Sequence, residues 1–402
     1  MTRPSKSSLV LDGSEVKFRL EAERARTKTP VHVDWVRFTV IRRNAPFLPA
    51  DLILPRAQES FEDLHQFVDP GGRVLQLLRS IPDCDFDAAA QALDLAQTVA
   101  AALGSDFTIA PEQRKGHDFY RFRWAIERNG AECGWVGYLA SGDSPRQQSQ
   151  SRTIHCNLFG AACTFAAPGW NDRLADICDE RKADLTRCDL ALDFFDGFAG
   201  GMERVKADYE AGLMNVGGRM LKPNMLGNWT SNGSERSFYF GSKEAGKQTN
   251  VYEKGDQLFG VEAGSRWIRA ELRYGNKLRV LSADMLRRPA DFFAGASDWH
   301  AAMLAEADAI KVAPEPVRTT ARLALETVEA EAVRNLRWAF NTAAPTMAAA
   351  FTHLGDGFLE LVTNQKLPGR LRKFAPAELA RAFESALGRF SSTAGGAGPA
   401  FA

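Results

Sequence analysis

The chain carries no surplus of charge of either sign: 50 Lys and Arg stand against 50 Asp and Glu in 402 residues. Proteins that coat nucleic acid indiscriminately show an excess of bases, so that class is excluded for the chain as a whole. No apolar run approaches the ~20 residues needed to span a bilayer. The first thirty residues, MTRPSKSSLVLDGSEVKFRLEAERARTKTP, lack the apolar core of a secretory signal and mix acids with bases, unlike a transit peptide. A cytoplasmic location is the expectation. Cysteine is sparse and scattered: Cys84, Cys133, Cys156, Cys163, Cys178 and Cys188 form no C-x-x-C pair and no Cys/His zinc spacing. Free buried thiols in a reducing compartment are the reading that fits. The six histidines include no His-x-His pair, so zinc-type and two-histidine nuclease sites are not supported.

What is present is the composition of a soluble globular protein, 45% hydrophobic and 25% charged, in a chain long enough for two or more domains. Charge is unevenly spread. Residues 236–288 hold eleven bases against six acids, and residues 289–334 hold four against eight, so one segment can face phosphates while the chain stays neutral.

The pattern predicts a mobile arm over 1–30 and a first strand at VHVDWVRFTV, 31–40. An Ala-rich helix follows at 87–103, then two strands at 118–127 and 134–139 joined by an RNGAEC turn. A short strand at 155–159, a helix at 170–180 and a strand at 186–195 come next. Further strands are expected at 236–241, 249–254 and 266–274, with an irregular Gly- and Asn-rich stretch between 212 and 227. Past Pro289, Ala- and Leu-rich periodic stretches predict helices. The expected division is an α+β core over 31–288, a helical C-terminal domain over 289–390 and a disordered tail over 391–402.

GSKEAGKQ, residues 241–248, copies half of a Walker A loop. Such a loop works by opening a helix whose amides hold phosphate, with a closing Ser or Thr on Mg²⁺. Here Gln248 replaces the hydroxyl, and the β-branched start of TNVYEKG predicts a strand. The segment therefore reads as a hairpin connection whose Lys243 and Lys247 are either solvated or in touch with a backbone phosphate.

Alternation along strands places the chemistry-bearing residues. Asn250, Tyr252 and Lys254 share one face. In RWIRAELRY, Glu271 sits between Arg269 and Arg273 beside Trp267. Asp34 shares a face with Val36, Phe38 and Val40, where a carboxylate is costly unless it is paired or metal-bound. Asp189 and Asp193 share a face but lie ~13 Å apart, so one of them is left to bind an ion. His32 reads as a surface strand histidine. Acids without His or Cys select hard cations such as Mg²⁺ or Mn²⁺. The chemistry suggested is attack by the Tyr252 oxygen on a phosphodiester, helped by a cation on the phosphate and by Lys254 and nearby arginines.

The ordered set VDWVRFTV, TRCDLALDFFDG, SFYFGSKEAGKQTNVYEKGDQ and WIRAELRY resembles the replication initiation factor family of filamentous phages and rolling-circle plasmids. FGSKEAGKQTNVYEKG followed by RAEL carries most of the likeness. The resemblance implies an antiparallel-sheet relaxase or replication-nuclease fold with helices on one side. It also implies nicking of one strand at an origin through a 5′-phosphotyrosine at Tyr252. Asp34, Glu271 and one of Asp189 and Asp193 are its metal positions, for Mg²⁺ or Mn²⁺, and Arg187, Lys243, Lys247, Arg269 and Arg273 face DNA. Expected partners are origin DNA, single-stranded or supercoiled, with host helicase and polymerase, a second copy of the chain, and no membrane. A conjugative relaxase of the same chemistry and a DNA-binding regulator on the same fold are the competing readings.

Overall fold

A computed structural model describes residues 13–45 except 28, 85–307 except 145, 146, 148, 149, 231 and 232, then 317–321, 344–354 and scattered positions between 332 and 383. Two compact units divide the chain, one of Met1–Leu48 with Asp83–Thr320, the other of Pro49–Pro82 with Ala321–Ala402.

The first unit is a mixed helix and antiparallel-sheet structure. In chain order it runs α1 (Gly13–Thr27), β1 (Val31–Ile41), α2 (Asp85–Leu103), β2 (Phe107–Ile109), β3 (Arg114–Lys115), β4 (Tyr120–Arg128), β5 (Ala131–Ala140) and β6 (Thr153–Leu158). There follow α3 (Gly160–Phe165), α4 (Trp170–Glu180), β7 (Asp184–Phe194), α5 (Gly201–Glu210), β8 (Pro223–Leu226), β9 (Ser237–Ser242) and β10 (Lys247–Glu253). The last elements are α6 (Lys254–Phe259), β11 (Ile268–Gly275), α7 (Asp284–Arg287), α8 (Pro289–Ala294) and α9 (Asp298–Ala307). Among the described residues, eleven strands join one sheet in the order β2-β4-β5-β6-β1-β7-β11-β10-β9-β8, with β3 on β4, and two short strands, Arg279–Val280 and Thr320–Ala321, pair separately.

Alternation gives the sheet two unlike faces. Leu190, Leu192, Ala270, Leu272, Val251 and Phe238 point into a core closed by α2, α3, α5, α8 and α9. Arg187, Asp189, Asp193, Arg269, Glu271, Arg273, Asn250 and Tyr252 point to the other side. Two bulges shift the phase of this alternation. On β1 the register steps from Val33↔Leu190 to Trp35↔Asp189, leaving Asp34 as the extra residue. On β7 it steps past Thr186, between Arg187 and Leu185. A bulged residue breaks the two-residue period. Asp34 therefore lies with His32 on the polar face, not with Val36, Phe38 and Val40 as strict alternation predicts.

The two hairpins are built as their turn residues require. Asn129 and Gly130 both take positive φ, 52° and 74°, the geometry of the turn that matches strand twist. In the GSKEAGKQ loop, the Gly246 amide donates to the Lys243 carbonyl at 3.1 Å, and β10 follows at once. Gly246 has φ +69°, and a Cβ there would meet the Gly275 carbonyl oxygen at 2.7 Å. The loop is a hairpin connection, and no helix opens from it.

Two expected boundaries move. Residues 13–27 form a helix that buries Val16 and Leu20, so this part of the expected arm is packed structure. The helices at 289–307 belong to the sheet unit, because Phe292, Phe293, Trp299, Met303 and Leu304 enter its core and the Tyr274 hydroxyl donates to the Phe292 carbonyl at 2.9 Å. Proline at the start of α8 marks a helix N-terminus and not the end of a domain. In the second unit, α10 (Ala344–Leu354) and an apolar cluster of Ala332, Leu371, Leu379 and Ala382 are described. The tail 391–402 and most of the expected helical domain lie outside the described residues. The five described cysteines are free and buried, as expected; Cys84 lies outside.

If 289–307 is part of the sheet unit, Phe293→Ala will lower the stability of the sheet's own cooperative transition by about 3–5 kcal/mol. Chemical denaturation read by tryptophan fluorescence checks this, and a separate helical domain would leave that transition unmoved.

Candidate active site

Three strands at the middle of the sheet, β7, β11 and β10, carry the polar face in rows. Asp193, Arg269 and Tyr252 are cross-strand neighbours in one row, and Ala191, Glu271 and Asn250 in the next. His32 opposes Ala191 and so extends the second row onto β1. Register alone therefore gathers residues spread over more than two hundred positions of sequence.

At the base of the site Arg269 is fully buried. Its guanidinium donates to Asp193 at 2.8 and 3.0 Å and to Asp34 at 2.7 Å. The Trp267 indole N–H adds a 2.6 Å bond to Asp193. Burial opposes ionisation of both aspartates, but the charge of Arg269 together with His32 and the hydrogen bonds to them outweighs it and holds each below the usual carboxylate range. His32 Nδ1 is 3.5 Å from Asp193 and its Nε2 3.8 Å from Asp34. Only 15% of its side chain is exposed, so it is part of the site and not a surface residue. Asp189 is held separately, chelated by Arg187 and bonded by Arg273 at 3.2 Å.

Above this ion-pair floor the Tyr252 hydroxyl donates to Glu271 Oε2 at 3.2 Å, and Glu271 Oε1 faces Arg273 at 3.4 Å. Burial, then the charges of Asp34 and Asp189, push the Glu271 carboxyl up to about 7. Burial and the neighbouring Glu271 keep the Tyr252 phenol well above its ordinary value, so the group at rest is a hydroxyl. The Lys254 ammonium lies 5.7 Å from the Tyr252 ring centre and donates to Gln257 at 2.8 Å. Burial and Arg269 bring it down to about 8. Tyr239, opposite Asn250 on β9, is a second phenol on this face, raised by burial and by Glu271.

The expected DNA-facing residues divide. Arg187, Arg273 and Lys243 border an open cavity on the polar face. Lys247 does not: it alternates with Gln248 and so lies on the helix side, where its ammonium donates to the Ala296 carbonyl at 2.6 Å. Arg269 is sealed in the floor and presents no free guanidinium.

Nor do the four expected metal positions converge. Asp34, Asp189 and Asp193 are each engaged by arginine, and among the described residues no group of three or more His, Cys, Asp or Glu side chains could hold an ion. As packed, the carboxylates do not fit a divalent cation. Sequence reasoning also passed over Trp35, Arg37 and Asn157. Arg37 Nε and the Trp35 indole both donate to Asn157, at 3.1 and 2.8 Å. Trp35 and Arg37 alternate with the core residues Val36, Phe38 and Val40, so they lie on the polar side by ordinary strand alternation.

With this geometry in view, likeness to known proteins can be placed. The sequence model of the family described as replication initiation factor matches residues 183–357, which takes in β7, the GSKEAGKQ hairpin, Tyr252 and Glu271. The chain's resemblance to replication initiation factors is thus shown over that span, while the VDWVRFTV strand lies before it. A solved rolling-circle replication initiator protein from Geobacillus stearothermophilus is 17% identical, with a TM-score of 0.36 over 61% of this chain and 74% of that one. So loose a superposition carries no argument about the site. No curated protein matches the chain. Among the described residues no helix is long and apolar enough to cross a membrane.

The ion-pair floor makes a prediction that separates it from a metal site. Removing one partner leaves a buried charge uncompensated, so Asp193→Ala will destabilise the metal-free protein by about 3–5 kcal/mol. Denaturation in excess chelator reads this. A cluster of mutually repelling metal ligands would instead be stabilised by the loss.

Proposed function

We propose that the protein initiates rolling-circle DNA replication by nicking one strand of origin DNA, with Tyr252 as nucleophile and Glu271 as its base. The observation that carries this reading is the Tyr252–Glu271 hydrogen bond, set in a half-buried polar face within the span that matches replication initiation factors. A phenol with an ordinary pKa of about 10 needs a base to attack, and a carboxylate raised to about 7 is matched to accept its proton near neutrality.

In the forward step the Tyr252 O–H proton passes to the Glu271 carboxylate as the phenolic oxygen bonds to phosphorus. The bond from phosphorus to the 3′ oxygen breaks, and that oxygen takes a proton from the Lys254 ammonium. The products are a 5′-phosphotyrosine and a free 3′ hydroxyl, which a polymerase can extend. In reverse, a 3′ hydroxyl attacks the same phosphorus, gives its proton to Lys254, and the phenol recovers its proton from Glu271. Arg273 beside Glu271 supplies positive charge where the phosphoryl oxygens gain negative charge. Arg269 acts only through the groups it fixes. Because the carboxylates as packed do not fit a cation, no step is drawn through one.

Tyr252→Phe is expected to abolish the covalent adduct with single-stranded origin DNA while leaving affinity for it unchanged, seen by denaturing gel and by fluorescence anisotropy. Tyr239→Phe is expected to keep the adduct, and an adduct lost there instead would transfer the role to Tyr239. The pH profile follows from the two shifted groups. Glu271 is an effective base only above about 7, and Lys254 an effective acid only below about 8. Single-turnover nicking will therefore rise through the first value and fall through the second. Glu271→Gln lowers the rate about 10²–10⁴-fold and removes the acid limb; an unchanged acid limb would take the base role from Glu271.

A further inference from the structure

Asn250 lies in the middle of the reactive face and takes no part in the proton transfers of the nicking step. It is paired with Glu271 on β11 and with Tyr239 on β9, so one row runs Tyr239, Asn250, Glu271. Tyr252 stands two positions further along the same face of β10, ~6.8 Å away. Directly opposed residues of an antiparallel pair hold their Cβ atoms ~4.5–5.5 Å apart. The Tyr252 hydroxyl reaches back to Glu271 at 3.2 Å, which brings the phenol oxygen to the row of Asn250. The Asn250 side chain is therefore within reach of the point where a phosphate must sit to be attacked.

The amide is held at a cost. Asn250 is half-buried, and its Oδ1 is enclosed with no hydrogen-bond partner. An enclosed acceptor without a donor lowers stability, and a strand position is filled more favourably by β-branched residues such as its neighbours Thr249 and Val251. With the oxygen turned inward, the Nδ2 end of the amide faces the open side of the row. That end is a neutral donor with two N–H groups. The cationic donors around it are engaged: Arg269 by Asp193 and Asp34, Lys254 by Gln257, and Arg273 by Asp189 and Glu271.

We propose that Asn250 is a catalytic residue of strand transfer, its side-chain amide donating a hydrogen bond to a non-bridging oxygen of the scissile phosphate as that oxygen gains charge. The proposal rests on the nicking reading and adds to it a group that acts on the transition state. Asn250 neither gives nor takes a proton, so the transfers from Tyr252 to Glu271 and from Lys254 to the 3′ oxygen are unchanged. A donor fixed on a central strand and aimed at developing negative charge stabilises it with no reorganisation at the moment of reaction. Being neutral, it also leaves the ion pairs of the floor undisturbed.

The test follows adduct formation in single turnover on a single-stranded origin oligonucleotide. Its scissile phosphate is either normal or one of the two separated phosphorothioate diastereomers. Asn250→Ala and Asn250→Leu are expected to slow the step about 10²–10³-fold while binding the oligonucleotide as the parent does, read by fluorescence anisotropy. Sulfur accepts a hydrogen bond more weakly than oxygen, so the contact to Asn250 weighs differently on the two diastereomers. The ratio of their rates is therefore expected to change in Asn250→Ala. Asn250→Leu is expected to keep the parent's denaturation midpoint, because it removes an acceptor that had no partner. A slowed rate with an unchanged diastereomer ratio, or with a lowered midpoint in Asn250→Leu, would give Asn250 a structural role only and overturn the proposal. Adduct formation at the parent's rate in either variant would overturn it too, and would leave the nicking reading standing. A parent protein that forms no adduct removes that reading and this proposal together.

Discussion

Arg269 is buried to 2% exposure and bonded on both sides, to Asp193 and to Asp34. Taking such charges out of water costs several kcal/mol per ion, which only close, well-directed partners offset. The fold supplies them from three strands far apart in sequence. β7 contributes Asp193, β11 Arg269 itself, and the bulge of β1 turns Asp34 inward. Once this pair is closed it fixes the register of the central strands, and the rows above it follow.

The chemistry of the upper row depends on the charge of that floor. Asp34 stays ionised because Arg269 compensates it, and its negative charge then helps to raise Glu271. Lys254 is lowered by burial and by the positive charge of Arg269. Burial is the first cause of both shifts; Arg269 adds to the fall of Lys254 and opposes the rise of Glu271, and the two groups end displaced towards neutrality from opposite directions, the arrangement acid–base catalysis requires.

Much of this was legible in the chain, and for identifiable reasons. Tyr252 and Glu271 lie on strands without bulges, so alternation placed Tyr252 with Asn250 and Glu271 with Arg269 and Arg273, and the register Asn250↔Glu271 and Tyr252↔Arg269 put the two on one face. The hairpin at GSKEAGKQ was legible because Gln248 and the β-branched residues after it oppose a helix. The side taken by Asp34 was not, because a bulge changes the phase of alternation and leaves no composition signal. Lys247 was misplaced by its charge: a lysine near an active strand looked DNA-facing, while period two sends it to the helix side. The helices at 289–307 were set apart by a proline that starts a helix within the same core.

By itself the sequence determined an α+β chain with strand-borne acids, a tyrosine on a polar face and no zinc or P-loop chemistry, because residue type and local periodicity are short-range properties. Only the tertiary structure decided that Asp34, Asp189, Asp193 and Glu271, the four carboxylates expected to hold metal, each pair with an arginine. The physical reason is that ion pairs such as Arg269–Asp34, separated by 235 positions, exist only when strands pair, and no local pattern records which carboxylate a buried guanidinium will choose.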